Sequence, residues 1–242
     1  MLSRNEAKYI QSLGHKKNRD NEGCFVAEGV KVVDELIQAG FTIRKIYALK
    51  SWAVDNGNIK DVTEVDNADL KRISNFETPN KVVAVFGKRK FSPNPGFNNK
   101  ITLVLDGIQD PGNLGTIIRT ADWFGIENII ASPDTADIYN AKVVQSTMGS
   151  IARVSMIYTD LDEFLSSNKI PVYGAMLNGE PVSAIKKINE CLVIIGNEGK
   201  GIRENIQPYI QKKISVPKIG NAESLNAAVA AGIILYSLKT KI

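Results

Sequence analysis

Hydrophobic residues in the second half of the sequence alternate between two spacings. Residues 101–105 (ITLVL) are a continuous apolar run with β-branched side chains, the pattern of a strand buried on both faces of a sheet. Residues 113–124 follow with apolar side chains at helical spacing, and Gly125 is a natural end for that helix. The alternation continues with strands predicted at 126–130, 154–158, 172–176, 192–195 and 214–216, and helices at 141–148, 161–166 and 224–238. It predicts an α/β domain with a mostly parallel sheet covered on both sides.

The first part of the chain has a weaker form of the same alternation. Helices are predicted at 28–39 and 67–75, and strands at 41–49 and 82–86. The following segment, KRKFSPNPGFNNK, contains two prolines, a glycine and several asparagines, which interrupt any periodicity. We therefore predict a small α/β domain at 1–92, a linker at 93–100 and a second domain at 101–242.

Composition excludes several classes of function. A chain of 242 residues with 43% hydrophobic residues can bury one large core or two modest ones. No run approaches the roughly 18 apolar residues that span a bilayer, and the first residues lack an apolar signal core. We therefore expect a cytoplasmic protein with no membrane contact. Cys24 and Cys191 lie far apart in sequence and His15 is the only histidine, so we expect no disulfide framework, no metal site and no Ser-His-Asp triad.

Positive charge is concentrated in the first part of the chain. Residues 1–90 hold 16 Lys and Arg against 12 Asp and Glu, whereas residues 91–242 hold 14 of each. Five cations lie in the first nineteen residues and are candidate phosphate contacts: Arg4, Lys8, Lys16, Lys17 and Arg19. On charge alone, a solvated helix face explains them equally well.

Three polar loops follow predicted strands of the second domain. The first contains Asn113 at the predicted start of helix 113–124 and Arg119 nearly two turns later. The second, GNEGKG at 196–201, is neither the dinucleotide nor the phosphate-loop glycine pattern, and Glu198 would repel a pyrophosphate. The third contains Ser224, a predicted helix cap, and Asn226. Each is a plain turn or cap when taken alone, but ligands bind beyond the carboxyl ends of parallel strands, so we expect one composite site.

At these three loops the sequence resembles the SpoU (TrmH) family of ribose 2′-O-methyltransferases, within the SPOUT superfamily. The residues that carry the resemblance are NLGTIIR at 113–119, GNEGKG at 196–201, and SLN with its Ala-rich helix at 224–232. Residues 16–29, KKNRDNEGCFVAEG, are similar to the substrate-binding domain found ahead of this fold, which is itself similar to small ribosomal RNA-binding proteins. One departure is bulky Trp123, where a smaller residue is expected.

The resemblance implies a deep trefoil knot in the second domain and S-adenosylmethionine (AdoMet) bent into it. It implies a cofactor pocket formed by Met176, Leu177, Gly196, Asn197, Gly201, Val216 and Leu225. It also implies a homodimer whose catalytic site is completed across the subunit interface.

The resemblance further implies methyl transfer to a ribose 2′-hydroxyl, which only RNA offers, so DNA is not expected as a substrate. Arg119 matches the family's usual activating residue. Because arginine stays protonated, we expect Arg119 to stabilise the developing alkoxide and the adjoining phosphate, while the proton leaves through water or phosphate. Asn113, Glu198, Ser224 and Asn226 are expected to position Arg119 and the ribose.

Ribosomal RNA is the expected substrate, because the first domain resembles that of the ribosomal enzymes. Three alternatives stay open at this point. They are a tRNA 2′-O-methyltransferase, a non-catalytic RNA-binding or ribosome-assembly factor, and a nucleotide-dependent oxidoreductase, which the glycine spacing disfavours.

Overall fold

A computed structural model describes residues 2–92 and 96–240, which form two compact units. The first unit contains residues 1–90 and 137–152, and the second contains 91–136 and 153–242. Residues 93–95 of the predicted linker 93–100 lie outside the described residues.

The first unit is built on a four-stranded mixed sheet. Its strands are β1 (Cys24–Glu28), β2 (Ile43–Ala48), β3 (Val62–Glu64) and β4 (Val82–Gly87). They lie in the order β1-β4-β2-β3, with β4 antiparallel to both of its neighbours and β2 parallel to β3. Its helices are α1 (Arg4–Ser12), α2 (Lys16–Glu22), α3 (Val30–Gln38), α4 (Lys50–Asp55), α5 (Asn67–Ile73) and α7 (Ala141–Ser146).

The second unit contains a six-stranded sheet whose neighbouring strands are all parallel, as the sequence predicted. The strands are β5 (Ile101–Asp106), β6 (Asn128–Ala131), β7 (Ser155–Tyr158), β8 (Val172–Pro181), β9 (Cys191–Gly196) and β10 (Lys212–Ser215). Their order is β10-β8-β9-β5-β6-β7, which places β5 and β9 at the centre. The helices are α6 (Pro111–Trp123), α8 (Leu161–Ser166) and α9 (Ala227–Lys239).

Glu28 ends a strand rather than beginning a helix, which corrects the prediction of a helix at 28–39. Its buried carboxylate accepts hydrogen bonds from Ser74 Oγ and from the backbone nitrogen of Asn75. Gly29 follows with φ of 90°, a value that favours glycine, so the chain turns there and α3 starts at Val30.

Arg19 is buried, which corrects its prediction as a phosphate contact. Its side chain is 3% exposed and pairs with Asp137 at 2.6 Å. Its Nη1 also donates to the carbonyl oxygens of Leu13 and Gly14. A guanidinium whose donors are used in this way holds α2 against the segment 137–152 and is not available to RNA.

Tyr139 attaches the segment 137–152 to the same unit. Its ring lies 4.6 Å from that of Phe25, and its hydroxyl accepts from the backbone nitrogen of Arg89 and donates to the carbonyl oxygen of the same residue. Burial raises the pKa of Tyr139 to about 12, so the hydroxyl remains a donor at neutral pH.

Membrane-spanning helices and metal-binding clusters are both absent from the described residues. None of the helices described is long and apolar enough to cross a membrane. Within residues 2–92 and 96–240, no group of three or more His, Cys, Asp or Glu side chains could hold a metal ion.

Candidate active site

Three loops meet at the carboxyl edge of the parallel sheet in the second unit. They follow β5, β9 and β10, and each carries an asparagine or glutamate from the predicted motifs. Asn113 Nδ2 donates to Glu198 Oε1 at 2.6 Å, and Asn226 Nδ2 donates to Asn113 Oδ1 at 2.9 Å. The three segments are therefore in direct contact, as the composite-site prediction required.

Asn226 is the N-cap of α9, which corrects the prediction that Ser224 caps this helix. Its Oδ1 accepts from the backbone nitrogens of Ala228 and Val229 at 3.0 and 3.2 Å. Ser224 lies two residues earlier on an exposed loop and has no hydrogen bond to the residues described. A single asparagine thus starts the helix and links it to Asn113.

Asn113 lies in the first turn of α6 rather than at its cap. The cap is Asp110, whose Oδ1 accepts from the backbone nitrogen of Asn113 at 2.8 Å, and Pro111 occupies the first turn. Proline suits this position because the backbone nitrogen there has no partner within the helix. Because Asp110 caps the helix, the side-chain amide of Asn113 is not needed as a cap and bonds instead to Glu198 and Asn226.

The loop after β9 is closed on itself. The backbone nitrogens of Asn197 and Gly201 each donate to the other residue's carbonyl oxygen, at 3.1 and 2.9 Å. The Asn197 side chain accepts from the backbone nitrogens of Gly199 and Lys200 and donates to the carbonyl oxygen of Gly107 at 2.8 Å. Asn197 thus shapes this loop and joins it to the end of β5.

Gly196 lies where two stretches of backbone almost touch. A Cβ atom added to Gly196 would lie 2.5 Å from the backbone nitrogen of Ile202. Only glycine permits such an approach, because the neighbour is backbone and cannot rotate away.

We expect Gly196→Ala to lower the free energy of unfolding by about 1–3 kcal/mol, because the added methyl group overpacks the loop. Affinity for AdoMet, the cofactor that the resemblance implies, should fall in parallel, because the loop must shift. Urea unfolding and calorimetric titration measure the two effects. Gly220→Ala is the matched control, because a Cβ atom there meets nothing within 4 Å. Equal behaviour of the two variants would contradict the tight-approach explanation.

Asp106 and Arg203 form a pair that the sequence prediction missed. Asp106 is 1% exposed and accepts from the backbone nitrogen of Arg203 at 2.8 Å and from its Nε at 2.6 Å. Arg203 Nη1 also lies 3.8 Å from Asp134 Oδ1. The pair ties the chain after the β9 loop to the ends of β5 and β6. A signal was present, because a carboxylate directly after a buried strand needs a partner.

Arg119 lies exposed on α6 and has no hydrogen bond or ion pair with any residue in the described ranges. The structure therefore does not bring Arg119 into the Asn113–Glu198–Asn226 network. Its guanidinium is free to contact a ligand.

The predicted cofactor residues lie on three segments of the second unit. Met176 and Leu177 lie within β8, residues 196–201 include the end of β9 and the loop after it, and Val216 and Leu225 lie between β10 and α9. Met176 and Val216 are half-buried, and Met176 packs against the apolar core. Leu177 and Leu225 are 71% and 43% exposed. Exposed apolar side chains and the closely approached backbone at Gly196 are the kinds of group that hold a ligand by apolar contacts and backbone hydrogen bonds.

Four of the predicted RNA contacts are accessible in the first unit. Arg4 and Lys8 are exposed on α1, and Lys16 and Lys17 are exposed at the start of α2. Glu6, the acidic residue among them in the sequence, is held by the Ser3 cap.

Comparisons with known proteins match both parts of the chain. The family described as the SpoU rRNA Methylase family matches residues 100–236, and the MRM3-like substrate binding domain matches residues 4–84. The chain is 31% identical over 238 residues to the 23S rRNA (guanosine(2553)-2′-O)-methyltransferase RlmP of Bacillus subtilis, covering 95% of this chain and 94% of the relative.

Two solved structures have the same fold over nearly the whole chain. The AdoMet-bound rRNA methyltransferase from Sinorhizobium meliloti is 30% identical, with a TM-score of 0.87 and coverage of 98% of this chain and 95% of that one. The SpoU methyltransferase AviRb from Streptomyces viridochromogenes, in complex with AdoMet, is 26% identical, with a TM-score of 0.88 and coverage of 98% and 97%.

Proposed function

Because the chain belongs to the SpoU rRNA methylase family, we propose that it uses AdoMet to methylate a ribose 2′-hydroxyl in ribosomal RNA. The observation that carries this proposal is the contact of three separate loops through Asn113, Glu198 and Asn226. A plain turn or cap needs no such contact, whereas a composite site does.

Similarity over the whole length supports ribosomal RNA rather than transfer RNA. The Bacillus subtilis relative, which is named as a 23S rRNA enzyme, aligns with 95% of this chain, so the likeness includes the first unit. The first unit supplies the exposed cations, and we propose that it binds RNA phosphates through Arg4, Lys8, Lys16 and Lys17. Such binding weakens as salt concentration rises.

Apolar side chains and a glycine-rich loop suit AdoMet. We propose that Leu177, Val216 and Leu225 contact it and that the backbone at 196–201 holds its polar groups. When bound, AdoMet supplies an electrophilic methyl group on a positively charged sulfur. A dry apolar surface favours dispersal of that charge, and fixed loops keep the reacting groups aligned. The trefoil knot stays a prediction from the resemblance.

We propose that Arg119 contacts the RNA and does not bond to Asn113, Glu198 or Asn226. Its planar guanidinium can pair with a phosphate and stabilise negative charge developing on the 2′-oxygen. Its lack of partners among the described residues supports this role.

We propose that the protein is a homodimer through α6 and α9. These helices pack together, with a Gly232 Cβ position 3.7 Å from Thr120 Cγ2. On α9, Val229, Ile233 and Tyr236 are 49%, 38% and 61% exposed, and their spacing of four and three residues places them on one face. At the end of α6, Trp123 is also 84% exposed, and the ring of the next residue, Phe124, lies 6.4 Å from that of Tyr236. Monomeric proteins seldom expose such a continuous apolar face.

We expect Ile233→Glu to convert a dimer to a monomer, because a carboxylate in an apolar interface loses its hydration without gaining a partner. Analytical ultracentrifugation measures the mass. The control is Gln38→Glu, which adds the same charge at the exposed end of α3. A wild-type protein that sediments as a monomer at micromolar concentration would contradict the dimer.

Methylation is tested by mapping 2′-O-methyl sites in RNA from cells with and without the gene, followed by labelled-methyl transfer to the identified RNA. The proposed function requires one ribosomal site to be lost. Loss of a tRNA site would replace the proposed substrate. No lost site and no transfer would favour a non-catalytic RNA-binding factor, and calorimetric binding of NAD in place of AdoMet would favour an oxidoreductase.

A further inference from the structure

We propose that Trp123 is a nucleobase-stacking residue, and that α6 binds an unpaired RNA nucleotide with its base on the Trp123 indole and its phosphate on Arg119. The inference rests on the proposed function. It goes beyond that function by naming the conformation of the RNA that the second unit accepts, which is single-stranded rather than paired.

Arg119 and Trp123 are neighbours on the outward face of α6. They lie four residues apart, which places their Cβ atoms about 5–6 Å from each other on one side of the helix. Both side chains are exposed, Trp123 by 84%, whereas Ile118 and Ala121 of the same helix are buried. A cation and a large aromatic ring are therefore presented side by side.

The residues on either side of Trp123 have partners, whereas Trp123 has none. Asp122 Oδ2 pairs with Arg153 Nη2 at 2.9 Å, and the ring of Phe124 lies 6.4 Å from that of Tyr236. Within residues 2–92 and 96–240, Trp123 makes no hydrogen bond and no ring contact. Most of its indole is thus open to a ligand.

A cation beside an open aromatic ring suits a single-stranded nucleotide. Proteins that bind single strands combine cations that contact the phosphates with aromatic rings on which the bases stack. A nucleotide joins its base to its phosphate through one sugar, so neighbouring side chains can hold both groups. The bases of a duplex are already stacked on one another and are not available to an indole. The first turn of the same helix carries Asn113, so a nucleotide bound here lies on an element of the candidate site.

A second copy of the chain is the competing occupant of this face, and charge argues against it. An interface that covered Trp123 would also take water from Arg119, and a buried guanidinium needs an anion. Helix α9 contains no Asp or Glu, Asp122 is paired with Arg153, and Asp110 caps α6. Two copies of α6 and α9 therefore offer Arg119 no free carboxylate, whereas every nucleotide of RNA brings a phosphate.

The test compares two strands of about ten nucleotides, an oligouridine and an abasic ribose-phosphate strand of the same length. Trp123→Ala should weaken the binding of oligouridine by about 5–100-fold, the usual effect of removing one stacking ring. Its affinity for the abasic strand should equal that of wild type, because the phosphate contacts remain. Trp123→Phe, which keeps a smaller ring, should fall between the two, and Arg119→Ala should weaken the binding of both strands. Fluorescence anisotropy of end-labelled strands at one salt concentration measures the affinities.

Tryptophan fluorescence reports the stacking contact directly, because the chain has only two tryptophans. The other one, Trp52, is 3% exposed and belongs to the first unit. In Trp52→Phe all tryptophan emission comes from Trp123, and oligouridine should quench it, whereas the abasic strand and oligouridine annealed to oligoadenosine should not. Trp123→Phe is the matched control, because its remaining tryptophan is buried and its emission should not respond to any of the strands.

Equal affinity of Trp123→Ala and wild type for oligouridine, or no quenching in Trp52→Phe at millimolar strand, would overturn the inference. Emission of Trp52→Phe that shifts with protein concentration, together with a Trp123→Ala that sediments as a monomer where wild type is a dimer, would assign Trp123 to a second copy and would also overturn it. Methyl transfer by wild-type protein in these cases leaves the proposed function standing. Quenching by oligouridine without any transfer to ribosomal RNA would keep the stacking site and contradict the proposed function.

Discussion

Arg119→Ala is expected to lower the rate of methyl transfer by about 10²–10³-fold, the usual effect of removing one donor to a developing oxyanion. Arg119→Lys should stay at least tenfold below wild type, because an ammonium cannot pair with two oxygens in a plane. The free energy of unfolding should change little, because Arg119 is exposed and has no partner among the residues described. Single-turnover kinetics with labelled AdoMet measure the rate.

Arg153 provides a contrast for this experiment. It lies in the same unit and is paired with Asp122, so Arg153→Lys should leave transfer unaffected. If Arg119→Lys transfers methyl groups at the wild-type rate, a planar guanidinium that pairs with two oxygens is not needed. Loss of AdoMet affinity in Arg119→Ala would contradict a role confined to RNA.

Arg19→Met should lower the free energy of unfolding of the first unit by about 3–5 kcal/mol. The change leaves the carboxylate of Asp137, 13% exposed, without its partner, and an unpaired buried charge is costly. Hydrogen exchange at β1 and β4 measures the effect in this unit without assuming that the whole chain unfolds together.

The double variant Arg19→Met with Asp137→Leu should recover much of that loss, because an apolar pair of similar volume replaces the ion pair. Arg4→Met, on the exposed face of α1, should stay within about 0.5 kcal/mol of wild type. If β1 and β4 are equally protected from hydrogen exchange in Arg19→Met and in wild type, the Arg19–Asp137 pair contributes nothing to stability.

The parallel sheet of the second unit could be predicted from the sequence because its central strands are buried on both faces. Residues 101–106 and 191–196 are apolar almost throughout, and helices at 3.6-residue spacing separate the strands. The first unit was less predictable. β1 ends in Glu28, and the burial of that carboxylate depends on Ser74 and Asn75, nearly fifty residues away.

Within the candidate site, residue types were easier to predict than roles. By sequence, Ser224 and Asn226 are equally good helix caps. In the structure Asn226 caps α9 and also bonds to Asn113, which is 113 residues away in the sequence. From the sequence, Arg19 could not be distinguished from the exposed cations near it, because its partner, Asp137, is 118 positions away. Local pattern carries no information about such partners.

Inclusion of residues 137–152 in the first unit has a consequence for biosynthesis. The unit needs Asp137 and Tyr139 to cover Arg19 and Phe25, so it cannot finish folding when residue 90 leaves the ribosome. About 60 further residues must be translated, which takes roughly 3–12 s at elongation rates of about 5–20 residues per second. During that interval the nascent chain carries an incomplete apolar surface, and it is then that chaperones would be expected to bind it.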